Sequence, residues 1–254
     1  MGKGIGLGIF FILCLCVALV VNMPVVHLLA QVKLPNTIVL SGVNGTLFSG
    51  NVDSLLVNQV QIDDLSYDFN ADCIAELKFC YDIDADLGQG QVWANPFDQS
   101  LELDDFEINY PLEKLAAFAD QLLVRPSGNL QVLIDSLTLK QQLVSQVDAR
   151  VLWRQAGIVG EAIELGDFEL KIKPASQGYQ FELKDLKALL TVDGKGQLKA
   201  DGNYSLNVNI LSQPGLDPSI KSALEFIAKK KGLNRYDVHR AGRLPGQVLK
   251  HLSF

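Results

Sequence analysis

The chain has 254 residues, 48% of them hydrophobic, with a mean hydropathy of +0.17 and a formal net charge of −7. From Lys33 to Ile220 it holds 13 Lys and Arg against 27 Asp and Glu, a net of −14; from Lys221 onward it holds 8 against 2, a net of +6. The acidic bulk offers no basic face to nucleic acid, while the basic end suits an acidic partner, lipid headgroups or plain solvation.

Elements in chain order begin with an apolar run. Ile5 to Val21 is almost wholly apolar, and a membrane-spanning helix needs about 20 such residues. The expected organisation is a cytoplasmic stub over residues 1–4, a transmembrane helix over 5–23 and an exported domain over 33–254. Pro24 marks a kink or the end of the helix. Leu28-Leu29-Ala30 is a poor cleavage site, so the run reads as an uncleaved anchor rather than a removed signal. Lys3 favours an N-terminus inside. Cys14 and Cys16 read as apolar residues of the helix, because leucines precede them where a lipidation site wants a small residue.

After Pro35 the texture changes to short alternating runs: NTIVLSGV, DSLLVNQVQI, DLSYDF, FCYDIDADL, GQVWA, SLELDDFEINY, GNLQVLIDSLTL, QVDARVLWR, GDFELKIK, GYQFELKDL, GQLKADG and YSLNVNI. Each predicts a strand, and the turn signals between them predict an antiparallel meander. The first of these runs leads into SGVNGTLFSGN, Ser41 to Asn51. It lacks the lysine and following helix of a phosphate loop, so it reads as two tight turns around a short strand from Thr46 to Ser49. DGKGQ and LGQGQ read as hairpin turns.

An internal echo recurs as IDDLSY at Ile62, LDDFEI at Leu103, IDSLTL at Ile134, LGDFEL at Leu165 and LKDLKA at Leu183. Its spacing is uneven, so it is repeated strand-turn grammar and not a solenoid. The paired acids Asp63-Asp64 and Asp104-Asp105 read as turn or rim residues. Two helices are expected. One runs over NYPLEKLAAFADQLLV, with Asn109 as cap, Pro111 in the first turn and Leu112, Leu115, Ala119 and Leu122 on one face. The other runs over DPSIKSALEFIAKKKG. There Asp217 caps, Ile220, Leu224 and Ile227 share a face, Lys229 to Lys231 fill the last turn and Gly232 stops it.

Chemistry-bearing groups are sparse. The histidines are His27, His239 and His251, and no nucleophile elbow occurs. No catalytic, cofactor or metal residues are assigned, no small-molecule substrate is expected, and an enzyme is not the reading. Past the anchor only Cys73 and Cys80 remain, in CIAELKFC. In an oxidising compartment they can form a disulfide across a hairpin, worth about 2–3 kcal/mol; the alternatives are two unpaired thiols or a metal half-site, though no histidine lies nearby and the spacing suits no common zinc pattern.

The single N-terminal apolar helix, the Pro at its end and then Gly42, Gly45, Thr46, Leu47, Phe48, Ser49 and Gly50 as G-V-x-G-T-L-aromatic-S-G resemble the type II secretion system protein N family. Trp153 and Arg154 in VLWRQAGI, then LGDFEL, VDGKGQLKADGNYSLNV and HRAGRLPG, continue the resemblance in order. Where the family usually has Trp, this chain has Phe48, and often where it has Tyr67; both remain aromatic. The resemblance implies a single-pass inner-membrane protein with a mainly β, curved antiparallel periplasmic sheet and two or three short helices. It implies an accessory role in exporting folded proteins across the outer membrane through contacts with other type II secretion proteins and inner-membrane lipid. The domain is also similar to the β-groove modules of AsmA-like proteins, which contact lipid. The motif residues are expected to be structural.

Overall fold

The structure is a computed structural model. It describes residues 10–12, 15, 18, 19, 21–30, 38–57, 60–76, 78–95, 97–112, 126–140, 143–158 and 164–245. Of the expected span over 5–23, residues 10–12, 15, 18, 19 and 21–23 are described, and all but the last two are helical. The rest of that expectation, with Cys14, Cys16 and the stub, lies outside the described residues. Among the described residues no helix is long and apolar enough to cross a membrane.

The chain divides into two compact units, residues 1–92 and 93–254. The first holds a short helix α1 (Val25–Leu29) and the strands β1 (Ile38–Gly45), β2 (Ser49–Val57), β3 (Val60–Asn70) and β4 (Phe79–Ala85), paired antiparallel in that order. A 3₁₀ helix (Ala71–Glu76) links β3 to β4, and β5 (Gly88–Asn95) carries the chain onward. Alternation builds a two-faced sheet. Phe69, Tyr81 and Phe79 stack edge-on or tilted on one face, with Phe48 against Phe69. Asp68, Asp82 and Asp84 are exposed.

The second unit is an antiparallel meander with one late crossing. Its strands are β6 (Ser100–Pro111), β7 (Pro126–Lys140), β8 (Leu143–Ile158), β9 (Glu164–Ala175), β10 (Gly178–Ala188), β11 (Leu190–Lys199) and β12 (Asn203–Ser212). Helix α2 (Pro218–Ile227) and the two-residue β13 (Lys229–Lys230) precede β14 (Arg235–Arg243), which pairs with β12. The registers align Ile108, Val132, Val151, Leu170, Leu183, Gly194, Val208 and Val238 in one row across the sheet. The adjacent row on the opposite face is Arg150, Lys171, Glu182, Lys195, Asn207 and His239. Helix α2 covers the apolar face at one end. Ile220 and Leu224 are buried against Val192, Val208, Ile210 and Tyr236. Truncating Leu224 to Ala is expected to cost about 2–5 kcal/mol. Away from the helix, Val132, Val151, Leu170 and Leu183 stay half-buried.

Several expectations give way. DSLLVNQVQI is two strands, for the chain reverses between Val57 and Val60, which pair. DGKGQ is the middle of β11, not a turn. A Cβ on Gly194 would lie 3.1 Å from both Leu183 Cβ and Val208 Cγ2, so the glycine makes room for its cross-strand neighbours. In LGQGQ only the start is turn, since β5 begins at Gly88. Asn109 and Pro111 belong to β6, which runs two residues into the expected helix; Leu112 is helical and buried as expected, and Leu115, Ala119 and Leu122 lie outside the described residues. Helix α2 keeps its Asp217 cap, whose carboxylate accepts from the Ser219 N–H at 2.8 Å, but ends at Ile227. Lys229 and Lys230 leave it to pair with Asp237 and Tyr236, because Ala228 is already extended. Ile227 is exposed accordingly.

The sequence echo marks β-bulges inside strands, where turns were expected. Asp64 and Asp105 sit mid-strand with φ of 53° and 46°, and the register slips between Ile134 and Ser136 and between Asp185 and Lys187. Gly166 has φ of 109°. The irregularities line up on neighbouring strands: Gln155 of β8, Gly166 of β9 and Lys187 of β10 adjoin. Each bulge raises the local twist, so stacked bulges bend the sheet along one line.

Candidate functional site

The motif loop is built by backbone contacts. β1 ends at Gly45 and β2 starts at Ser49, so the reversal is Thr46–Leu47–Phe48, the stretch expected to be a strand. Asn44 and Gly45 stay in the ladder, paired with Asn51 and Gly50. Thr46 closes the turn. Its N–H donates to Ser49 O at 2.8 Å, and its hydroxyl accepts from the N–H groups of Phe48 at 3.2 Å and Ser49 at 3.3 Å. Gly45 has φ of 109°, and a Cβ there would meet the Gly50 Cα at 2.4 Å. A Cβ on Gly50 would meet Asn44 O at 2.3 Å and the Tyr67 hydroxyl at 2.5 Å. Two glycines face each other because neither position has space for a side chain.

Tyrosines of the next two strands latch this turn, and sequence reading missed them in that role. The Tyr67 hydroxyl donates to Thr46 O at 2.6 Å and the Tyr81 hydroxyl to Leu47 O at 3.2 Å. Burial pushes both hydroxyls above the usual phenol range, with the neighbouring Tyr81 adding to the effect on Tyr67. Phe48 is half-buried, its ring centroid 5.2 Å from that of Phe69 in an edge-on contact. The only residue-spacing signal for the latch was the aromatic alternation of SYDF and FCYDI. Thr46 also forms an isolated antiparallel bridge with Pro24, so the turn meets the residue that directly precedes helix α1.

Beside this turn Cys73 and Cys80 are joined, with the sulfurs 2.06 Å apart and both residues buried. Cys73 lies within the 3₁₀ helix and Cys80 in β4, where the sequence predicts a plain hairpin.

In the second unit Trp153, Arg154 and Asp167 come together from two separated motif segments. Gln155 has φ of 50°, which bulges β8. Asp167 grips the bulge: one carboxylate oxygen accepts from the Gln155 N–H at 2.8 Å and the other pairs with Arg154 Nη1 at 3.2 Å. Trp153 Nε1 donates to Ser127 O at 3.0 Å, and its ring lies 6.1 Å from that of Phe168. Ala156 is fully buried. Among the described residues no group of His, Cys, Asp and Glu could hold a metal ion.

The sequence pattern of the family described as type II secretion system (T2SS), protein N, matches residues 36–239. The chain belongs to that family. Two full-length relatives agree. The type II secretion system protein N of Aeromonas hydrophila is 25% identical over 89% of this chain and 93% of its own. The protein of that name from Vibrio cholerae serotype O1 is 20% identical over 96% of this chain and 100% of its own. No solved structure matches. The protein N match takes in the motif turn, the Asp167 grip and most of β14.

Proposed function

We propose that this protein N family member is a non-enzymatic component of type II secretion, anchored in the inner membrane by residues 5–23. Residues 1–4 would lie in the cytoplasm and residues 33–254 in the periplasm. The observation that carries the reading is the family match across residues 36–239, which spans both units. The membrane part is supported by the apolar run and by the outward side chains of Phe10, Phe11 and Leu19, each exposed by more than 60%. Such exposure of large apolar groups favours lipid around them. The Pro24–Thr46 bridge supports a sheet that starts where the helix ends.

The domain acts by contact: its partners are other type II secretion proteins and inner-membrane lipid. A second reading, a lipid-contacting groove, is favoured by one feature, the half-buried apolar row from Val132 to Leu183. Deleting the gene and following an exported protein tests the choice. Retention of the folded protein in the periplasm, complete or partial, supports the secretion role. Unchanged secretion, with phospholipid carried by the purified protein, replaces it with the groove. Protease treatment of spheroplasts should degrade residues beyond 33; protection of the whole chain would refute the orientation.

A further inference from the structure

The polar face of the second unit carries an unbalanced cluster of cations. Lys171, Glu182 and Lys195 are cross-strand neighbours, and Lys173, Gln180 and Gln197 form the next row. Together they line a shallow trough of about 470 Å³. Its single acid, Glu182, is bonded to Lys184 at 3.0 Å. Lys173 and Lys195 are exposed and stand outside the ion pairs among the described residues.

The first unit carries the opposite imbalance. Asp68 and Asp82 face each other across β3 and β4, and Asp84 follows two residues along on the same side. All three are exposed and stand outside the ion pairs among the described residues. From Asp53 to Asp86 the sequence holds nine Asp and Glu and a single basic residue, Lys78. Like charges directly opposite on a sheet repel, and a cation from outside relieves them.

We propose that the lysine trough of one molecule docks the Asp68–Asp82–Asp84 face of a second copy of this chain. Charge complementarity selects this occupant, since the same chain supplies both faces and both are polar sheet surfaces. The contact is heterologous, one surface to a different one, so it links copies head to tail. It goes beyond the secretion role and does not depend on it.

Full-length protein in uncharged detergent, followed by sedimentation velocity, tests the proposal. Association is expected at about 50 mM salt and is lost near 0.5 M, where the Debye length falls to a few ångströms. The Lys173→Glu, Lys195→Glu double variant should associate about tenfold or more weakly, as should Asp68→Lys, Asp82→Lys. An equimolar mixture of the two should regain association, because each restores the other's missing sign. Circular dichroism checks folding. Where the lysine variant fails that check, Lys173→Gln, Lys195→Gln is read in its place. A wild type that stays single at both salt levels overturns the proposal. So does either double variant associating like wild type, or a mixture that stays apart. If the lysine variant loses binding to vesicles containing phosphatidylglycerol while associating normally, the trough serves an anionic membrane surface and the proposal fails.

Discussion

The hydroxyl of Tyr67 reaches across two strands to the carbonyl of Thr46 at 2.6 Å, so β3 holds closed the turn between β1 and β2. That turn meets Pro24, the residue that directly precedes helix α1. Tyr67→Phe keeps the ring and removes only the donor. A loss of about 1–2 kcal/mol is expected, since the Thr46 carbonyl is left unpaired in a half-buried place. Thermal melts of the two proteins decide it, and an unchanged midpoint would show that water replaces the bond.

Gly50→Ala should be worse. Its Cβ would press on Asn44 O and on Tyr67 at once, and only the tyrosine can move. About 2–3 kcal/mol is expected from the forced backbone shift. Phe48→Ala, at a half-buried ring, should cost roughly half the 3–5 kcal/mol of a core phenylalanine, about 2 kcal/mol. Denaturant titration of both variants ranks them; Phe48→Ala costing more than Gly50→Ala would mean that ring packing, and not the close glycines, holds the turn.

Alkaline stability follows from the same pair. Burial raises Tyr67 and Tyr81 above their ordinary values, Tyr67 also feeling Tyr81. A group whose pKa is higher in the folded state contributes stability that is complete below its unfolded value, near 10, and is lost as pH rises through the folded one. The melting temperature should therefore fall as pH rises above about 10 and tyrosinate absorbance appears. Tyr67→Phe should flatten that fall. A variant with the wild-type slope would place the titration elsewhere.

Reducing the Cys73–Cys80 bond frees a loop of sequence separation 7. Chain-entropy reasoning gives about 2–3 kcal/mol for so short a loop. Melts with and without reductant should differ by that much in wild type and not in Cys73→Ser, Cys80→Ser.

Much of the fold was readable because one face of each strand is apolar and the other polar, and alternation records that directly. What failed was local. Asn58 and Gln59 carry no glycine or proline, so the β2–β3 reversal was hidden inside DSLLVNQVQI. Gly194 and Gly196 imitated a turn, although their absent side chains serve cross-strand neighbours. β14 was overlooked because RYDVHRAGR is so basic; its register with β12 rests on the central pairs Val208–Val238 and Ile210–Tyr236. The motif glycines signalled a reversal nearby, but they stay in the ladder and the turn is Thr46–Leu47–Phe48 between them. The tyrosine latch was not legible, since it joins residues 21 and 34 positions apart that only the sheet brings together.

The Asp167 grip on the β8 bulge gives the sharpest separation of charge from geometry. Gln155 holds a left-handed backbone conformation that a non-glycine residue adopts at a cost of about 1–3 kcal/mol, and something must hold it there. Asp167 does so through the Gln155 N–H at 2.8 Å, while its partner Arg154 is 43% exposed and screened by solvent. Asp167→Ala removes both contacts and should cost about 2 kcal/mol, chiefly from the charge-assisted bond to the backbone. Asp167→Asn keeps an acceptor and should lose about 1 kcal/mol, and Arg154→Ala less than about 1 kcal/mol. Denaturant midpoints for the three variants should fall in that order. If Arg154→Ala equals Asp167→Ala, the ion pair carries the site and the backbone bond is incidental.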